Sequence, residues 1–447
     1  MTDPAAIIDT HPEPSSRMLG KWMSAAMVVG TMVGSGIYLL PTTLAPFGPN
    51  LIVAFLLTGF GTMCLAFALA RMAARIEGGP FVYIERAFGE HTAFVTLWSY
   101  TLSQVTGVAG VAVAVAGALG HVWPNLISGP PLIAIAIGTI VILTLVNLRG
   151  ARSAGALQVV TVLIKLIPLL AVIALVAARF GAGVPLEPLQ SAPLGIAATT
   201  SAAALILFSL TGFEAAVMTA NVTRDSTTTV PRATILGTGF TAIIYLLATW
   251  ATLMLLPSLV AAKSGAPFAD AIAPLLGPVA GILVAMIAAV SAFGTANALL
   301  LIAAESARTM GEAGDLPAVF KRSNRIGAPV GALIVCAVIA GFLVFASSSE
   351  NFVSVYVFIT LVSTVLSLIL YIVCAAAALK LRVGATVIIA VGILYSIAMF
   401  VGSGWKPLLW GLVLAFAGLP VRAISRWLNG SSRAAAASPT ATPGSSA

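Results

Sequence analysis

Two ionisable side chains stand where a hydrocarbon interior should exclude them. Glu214 lies in "LILFSLTGFEAAVMTA", residues 205–220, and Lys165 lies in "VVTVLIKLIPLL", residues 159–170. An ionisable group at membrane depth is costly unless it is paired, and it marks a substrate or ion pathway by default. Glu214 is the one carboxylate in the middle of an apolar segment, because Glu305 falls near the end of its own. Lys165 is about 13 residues beyond Arg152, roughly 20 Å along a helix, too deep for easy snorkelling to the surface. At that position the ammonium needs carbonyls or a partner, and it can relay a proton or act as a fixed positive charge. The ordinary alternatives are a glutamate satisfied by neighbouring backbone and a lysine bonded permanently to carbonyls of the first span.

The segments that carry these groups break their own helical pattern. "VVGTMVGSGIYLLP", residues 28–41, places Gly30, Gly34, Ser35 and Gly36 ahead of Pro41, and "LILFSLTGFEAAVMTA" places Thr211-Gly212 ahead of Glu214. Each glycine costs on the order of 1 kcal/mol relative to Ala in a helix interior. Unwound backbone inside a bilayer is tolerated only where it lines a cavity or meets a ligand. A zwitterion suits both kinds of freed group: its carboxylate accepts from half-helix N–H groups and its ammonium donates to freed carbonyls. Small residues also let helices pack closely, so "GSG" alone admits a packing role. Five spans separate the start of one broken segment from the start of the other, the pattern of an inverted-repeat transporter.

The elements that must position these residues follow from composition. Of 447 residues 60% are hydrophobic and 8% charged, against about 25% charged in soluble domains. Apolar windows near 21–44, 50–70, 92–119, 131–148, 155–178, 196–220, 233–256, 277–304, 329–347, 352–378, 384–402 and 407–425 are each long enough to cross a bilayer. No period-2 alternation suggests a barrel. The expected fold is all-α and integral to the membrane, with about twelve transmembrane helices.

The net charge of +8 reports topology and not a nucleic-acid partner. With a cytoplasmic N-terminus, that side carries Arg17, Lys21, Arg71, Arg75, Arg86, Arg149, Arg152, Arg224, Arg232, Arg308, Lys321, Arg322, Arg325, Lys380, Arg382, Arg422, Arg426 and Arg433. The opposite loops carry only Arg179, Lys263 and Lys406. That asymmetry places both termini in the cytoplasm of a bacterial-type inner membrane. Residues 1–20 read as a plain cytoplasmic tail and not a signal peptide. Residues 428–447, small, polar and Pro-containing, read as a disordered tail.

Other motifs are weak. Cys64, Cys336 and Cys374 lie in apolar helices without metal or disulfide spacing. His11, His91 and His121 fall in a tail or near loop ends, with no sequence partner of ligand type, so no metal and no cofactor are expected. There is no GxxxxGK[ST] for nucleotide-driven pumping, and "GSG" lacks the third glycine of a dinucleotide fingerprint. No Ser–His–acid set suggests an enzyme.

In "GTMVGSGIYLLPTTLA", "EGGPFVYIERAFG", "LFSLTGFEAAVMTANVTRD", "VPRATILGT" and "GDLPAVFKRSNRIGAPV" the chain resembles the amino acid–polyamine–organocation (APC) superfamily of permeases, over roughly residues 18–425. The wording is nearest to the bacterial arginine/agmatine antiporter branch. The resemblance implies a five-plus-five inverted repeat, residues 21–178 holding helices 1–5 and 196–380 helices 6–10. Helices 1 and 6 are discontinuous, and 384–427 adds two helices. By the same match Ser35 and Gly36 offer a hydroxyl and amides to a substrate carboxylate, beside Gly34 in the same substrate site. Carbonyls near Met32, Phe208 and Thr211 receive its ammonium, Gly212 also lines the substrate site, and Glu214 gates it. Lysines at the point of Lys165 take the place of sodium in several resembling permeases, whereas the antiporter branch has a small residue there.

The chain departs from the antiporters at the pocket wall. Phe208 replaces a Trp, Leu299 replaces another aromatic, and Val108 replaces an Asn that reads the guanidinium; Ser103 and Gln104, one turn away, offer other polar contacts. Loss of two ring faces and an amide weakens the case for a guanidinium. The reading is therefore a secondary active amino acid transporter with alternating access, sodium-independent, proton-coupled or exchange-driven, with a neutral amino acid favoured. The alternative is a cationic amino acid/amine antiporter of the arginine/agmatine type, and the third class is a channel or non-transporting sensor. The expected partners are the small-molecule substrate and the lipid bilayer, with the chain a monomer or homodimer.

Overall fold

The computed structural model describes residues 20–76, 79–126, 129–149, 154–218, 223, 225–325, 327–346 and 351–436. Regular structure among them is helical. The first expected span is two helices, α1 (Lys21–Met32) and α2 (Ser35–Leu44), followed by α3 (Asn50–Ala73), a short α4 (Pro80–Phe88) and α5 (Glu90–Leu119). Then come α6 (Gly129–Leu148), α7 (Ala154–Gly181), and a second broken span made of α8 (Ile196–Leu210) and α9 (Ala215–Met218). The chain continues through α10 (Ser226–Leu255), α11 (Ser258–Ala261), α12 (Pro267–Leu276) and α13 (Pro278–Glu312). Last are α14 (Val330–Ala346), α15 (Phe352–Lys380), α16 (Thr386–Gly402), α17 (Trp405–Phe416) and α18 (Gly418–Ala436).

Ten of these spans are long and apolar enough to cross a membrane, and α14 and α16, at 17 residues each, fill the ninth and eleventh expected positions. The fold is thus the multi-pass helical membrane bundle that the apolar windows imply. Span ends differ from the expected ones by several residues, most at α13, which runs on to Glu312 because its last turns leave the apolar window and become a charged Glu305–Arg308–Glu312 helix. The terminal helix α18 continues to Ala436, past the boundary at 428 drawn from composition. The remainder of that tail, 437–447, and the N-terminal tail through 19 lie outside the described residues, as do Glu77, Gly78, Arg152 and Arg224.

One helix organises the core. In α5, 94% of the most apolar window is buried, against 33% in α6 and 28% in the Val162–Gly181 part of α7. Its glycines contribute to the difference: a Cβ on Gly107 would lie 3.1 Å from Leu299 of α13, and one on Gly110 would lie 3.2 Å from Thr360 and 3.5 Å from Ile359 of α15. The outer helices turn apolar residues outward, including Leu163, Ile167, Val338, Phe342 and Phe345. Water would penalise that surface and hydrocarbon would not.

The two ends of the bundle are distinguished by contacts. At one end Arg71 donates to the Val383 carbonyl (3.3 Å) and Asn324 to the Leu148 carbonyl (2.8 Å). There, too, Arg422 and Arg426 of α18 meet Glu90 and Asp315. At the other, Asn50 donates to the Pro193 carbonyl (3.0 Å) and the Glu187 N–H to the Met254 carbonyl (2.9 Å). The first end holds most of the basic residues.

Candidate functional site

The first break is a two-residue stretch of non-helical backbone. The Val33 N–H closes the last turn of α1 on the Val29 carbonyl (2.8 Å), and Gly34 then adopts φ −134°, ψ −151°, which no helix continues. The chain restarts as α2 at Ser35, so the N–H groups of its first turn face the break without intrahelical acceptors. Of Ser35 the structure describes only the backbone. Both flanking glycines also serve close packing. A Cβ on Gly34 would lie 2.5 Å from Thr295 Oγ1 of α13, and one on Gly36 would lie 2.7 Å from Ser209 Cα of α8. Breaking and packing are therefore two consequences of the same residues.

The second break runs from Thr211 to Glu214. Thr211 leaves α8 with extended backbone (ψ 149°), and Gly212 takes φ +108°, a region that side-chain-bearing residues rarely enter. The two breaks touch. Thr31 Oγ1 donates to the Gly212 carbonyl at 3.0 Å, and a Cβ on Gly212 would stand 3.0 Å from the Thr31 carbonyl carbon and 3.1 Å from the Met32 nitrogen. Thr31, Thr211, Gly212 and Leu299 remain partly accessible although each sits mid-span.

Glu214 is 4% exposed and folds back on its own break. Its Oε2 accepts from the Gly212 N–H (3.1 Å) and from Tyr371 Oη (3.2 Å), and its Oε1 accepts from Tyr100 Oη (3.4 Å). Among the described residues, two tyrosine hydroxyls and a backbone N–H hold the carboxylate, and none of these donors is a cation. Lys165 is 6% exposed, and its Nζ donates to the Gly30 carbonyl in the last turn of α1 at 3.3 Å. The lysine thus reaches the first broken span, as its depth requires. Its own carbonyl accepts from Tyr38 Oη of α2 at 2.6 Å, so α7 is pinned on both sides of the first break.

Two carbonyls expected to be open already have protein donors. The Met32 carbonyl accepts from Tyr245 Oη of α10 (2.6 Å), and the Phe208 carbonyl accepts from Thr211 Oγ1 (2.6 Å) and the Thr211 N–H (3.2 Å). A buried carbonyl freed by a break cannot stay unpaired, so the fold pairs each from the nearest hydroxyl. One lone pair of Met32 remains for a ligand. Ser103 and Gln104 are likewise turned to the fold: Ser103 Oγ donates to the Tyr100 carbonyl (2.7 Å) and Gln104 Nε2 to Ser103 Oγ (3.2 Å). The Phe208 ring meets Tyr356 edge-on, centroids 6.4 Å apart, and Leu299 lies against Gly107. These two form an apolar flank beside the breaks.

The tyrosines are the residues that sequence reading missed. Tyr100, Tyr245 and Tyr371 are at most 3% exposed, yet each hydroxyl reaches a group at one of the breaks. A phenol in mid-span must find a hydrogen-bond partner, and the chain has seven tyrosines in all, so this signal was present. It pointed to polar partners without saying which.

Comparison with known proteins places this geometry in context. The family model described as amino acid permease matches residues 19–419. A putative arginine/ornithine antiporter of Bacillus subtilis (strain 168) is 28% identical over 395 residues, 81% of this chain and 84% of the relative. The putrescine transporter PotE of Escherichia coli (strain K12) is 27% identical over 420 residues, 91% and 95% of the two chains. A cadaverine/lysine antiporter of the same strain is 28% identical over 335 residues, 72% and 73%.

Proposed function

Because the chain belongs to the amino acid permease family and is a multi-pass membrane transporter and not an enzyme, we propose that it exchanges a cationic amino acid for a related amine across the bacterial inner membrane. The observation that carries this reading is the buried carboxylate of Glu214, held beside two touching helix breaks by two tyrosine hydroxyls and a backbone amide among the described residues. Among the described residues no cation stands against it, which leaves it available to a substrate amine, while its seat between α5, α9 and α15 suits a gate. The substrate carboxylate binds the free N–H groups at the start of α2, around Ser35 and Gly36, where the helix dipole favours an anion. The ammonium takes the remaining lone pair of the Met32 carbonyl, since both lone pairs of the Phe208 carbonyl are already met by Thr211. Relatives that carry arginine, ornithine, lysine, putrescine or cadaverine in their names support the cationic class over the neutral one favoured by pocket composition.

Lys165, held on the Gly30 carbonyl, supplies a fixed positive charge or a proton relay beside the first break, so transport is sodium-independent. The excess of basic residues at the Arg71–Arg422 end supports a cytoplasmic position for that end and for both termini. Alternating access then proceeds by rocking around the paired breaks.

A second reading, a neutral amino acid permease, draws on the apolar flank of Phe208 and Leu299. A competition panel in proteoliposomes separates the two. Arginine, ornithine, lysine, putrescine and agmatine are set against alanine, leucine and phenylalanine for uptake of a labelled cationic amino acid. The cationic compounds are expected to compete at about tenfold lower concentration, and Glu214→Gln to erase that advantage, as loss of a charge-assisted bond requires. Neutral amino acids competing better, with Glu214→Gln leaving the order unchanged, would establish the second reading.

A further inference from the structure

The end of the bundle opposite the basic loops is closed by a segment outside the spans. Between α10 and α13 the chain folds back through Ser264 and Gly265 into α12, and a chain of polar contacts fastens this turn to the bundle. Thr42 Oγ1 at the end of α2 donates to the Ser264 carbonyl at 2.8 Å. Ser264 Oγ donates to Asp270 Oδ2 and accepts from the Ala266 N–H at 3.0 Å. Asp270 Oδ1 meets His121 Nδ1, just past the end of α5, at 2.7 Å. A loop-end histidine with no sequence partner thus has a carboxylate, 149 residues away, that only the fold supplies.

Under this segment lies a narrow apolar cavity lined by Tyr38, Leu39, Ala114, Ala118, Phe268 and Ala288, with room for about one water molecule. Ala292 forms its inner end, one turn before Thr295, the residue against which Gly34 of the first break packs. The cavity therefore lies between the paired breaks and this face, and an amino acid cannot pass it as it stands. The seal is smooth. Gly265 rests on Gly117 so closely that a Cβ on Gly265 would lie 2.6 Å from the Gly117 carbonyl oxygen, and Phe268 caps Tyr38 edge-on at 5.6 Å. Small residues that meet without interlocking can part without rotamer changes. The latch residues keep contact with solvent, His121 at 14% and Asp270 at 31% exposure, so each of their bonds can be exchanged for one to water.

We propose that the Thr42–Ser264–Asp270–His121 chain is a latch that holds the segment from Ser264 through α12, which closes the outer end of the transport path, shut. His121 and Asp270 are positioning residues, remote from the substrate, that set how often the path opens outward. The uptake readout below rests on the transport reading; the labelling readout does not.

Ala288→Cys places a thiol in the cavity wall. In right-side-out vesicles it is reacted with a membrane-impermeant methanethiosulfonate, with the unmodified protein as blank, since Cys64, Cys336 and Cys374 are buried. Adding Asp270→Ala is expected to raise the labelling rate about fivefold, the size of one lost hydrogen bond. Gly265→Ala, which props the seal from its other side, is expected to do the same and serves if Asp270→Ala does not reach the membrane. In a second arm, His121→Cys and Asp270→Cys are bridged by a short bifunctional thiosulfonate. Uptake from outside should stop and return on reduction. An unchanged labelling rate, labelling only in inverted vesicles, or full uptake through the bridged protein overturns the proposal. Absence of uptake in the unmodified protein counts against the transport reading, and the labelling rate then decides the gate by itself.

Discussion

Gly212→Ala probes the contact on which the site is built. At φ +108° an alanine is held in a sparsely populated region at a cost of about 1–3 kcal/mol. Its Cβ would lie 3.0 Å from the Thr31 carbonyl carbon and 3.1 Å from the Met32 nitrogen. Both are backbone atoms, so the two breaks must part by a few tenths of an ångström or the alanine must twist, an overpacking cost of about 1–3 kcal/mol. The costs share one displacement and do not simply add; the net expectation is about 2–4 kcal/mol of lost stability. Parting the breaks also lengthens the Thr31–Gly212 hydrogen bond, now 3.0 Å, so substrate affinity should fall about tenfold, equivalent to about 1.4 kcal/mol. Unfolding in mixed micelles, with substrate binding to the purified protein, reads both quantities. Gly138→Ala is the control: it lies within α6 with nothing within 4 Å of an added Cβ, and should be neutral or up to about 1 kcal/mol more stable. Gly212→Ala within about 0.5 kcal/mol of the parent, like an ordinary surface change, with unaltered binding would refute the reasoning.

Lys165→Ala removes the Nζ–Gly30 bond and should abolish the response of uptake to a pH gradient in proteoliposomes; equal rates and equal pH response in both proteins would remove its coupling role. Arg422, buried and bonded through Nε to Asp315 at 2.8 Å with its guanidinium over the Phe94 ring, should cost about 2–4 kcal/mol as Arg422→Leu, because Asp315 loses a buried partner. Arg426, 45% exposed on the same carboxylate, should cost within about 1 kcal/mol as Arg426→Leu. A double-mutant unfolding cycle measures both, and equal costs would contradict the burial argument.

The parts legible in the sequence are those written in local residue types. The spans follow from apolar windows, and both breaks from glycines that a membrane helix would otherwise avoid: Gly34 and Gly212 lie where the helices stop. The depth of Lys165 was legible too, because counting along a helix fixes depth. What it bonds was open, and the Gly30 carbonyl answers one of the alternatives raised for it. Pairing across the bundle was not legible. Tyr100, Tyr245 and Tyr371 reach the breaks from three other helices, and His121 meets Asp270 across the closed end. Such contacts depend on how helices rotate against one another, which a period of 3.6 residues in nearly uniform apolar sequence leaves unspecified. The same limit explains the carbonyls of Met32 and Phe208. Unwinding predicts that they are freed, but only packing shows that Tyr245 and Thr211 reach them first.

The central claim is that paired breaks with a buried carboxylate beside them bind a cationic substrate for exchange. Counterflow tests it most directly: purified protein in liposomes, preloaded with an unlabelled cationic amino acid or its diamine, or left empty, is offered the labelled counterpart outside. The account predicts rapid accumulation in loaded vesicles, little in empty ones, and loss of accumulation in Glu214→Gln. Equal entry into empty and loaded vesicles, or undiminished exchange by Glu214→Gln, would contradict it.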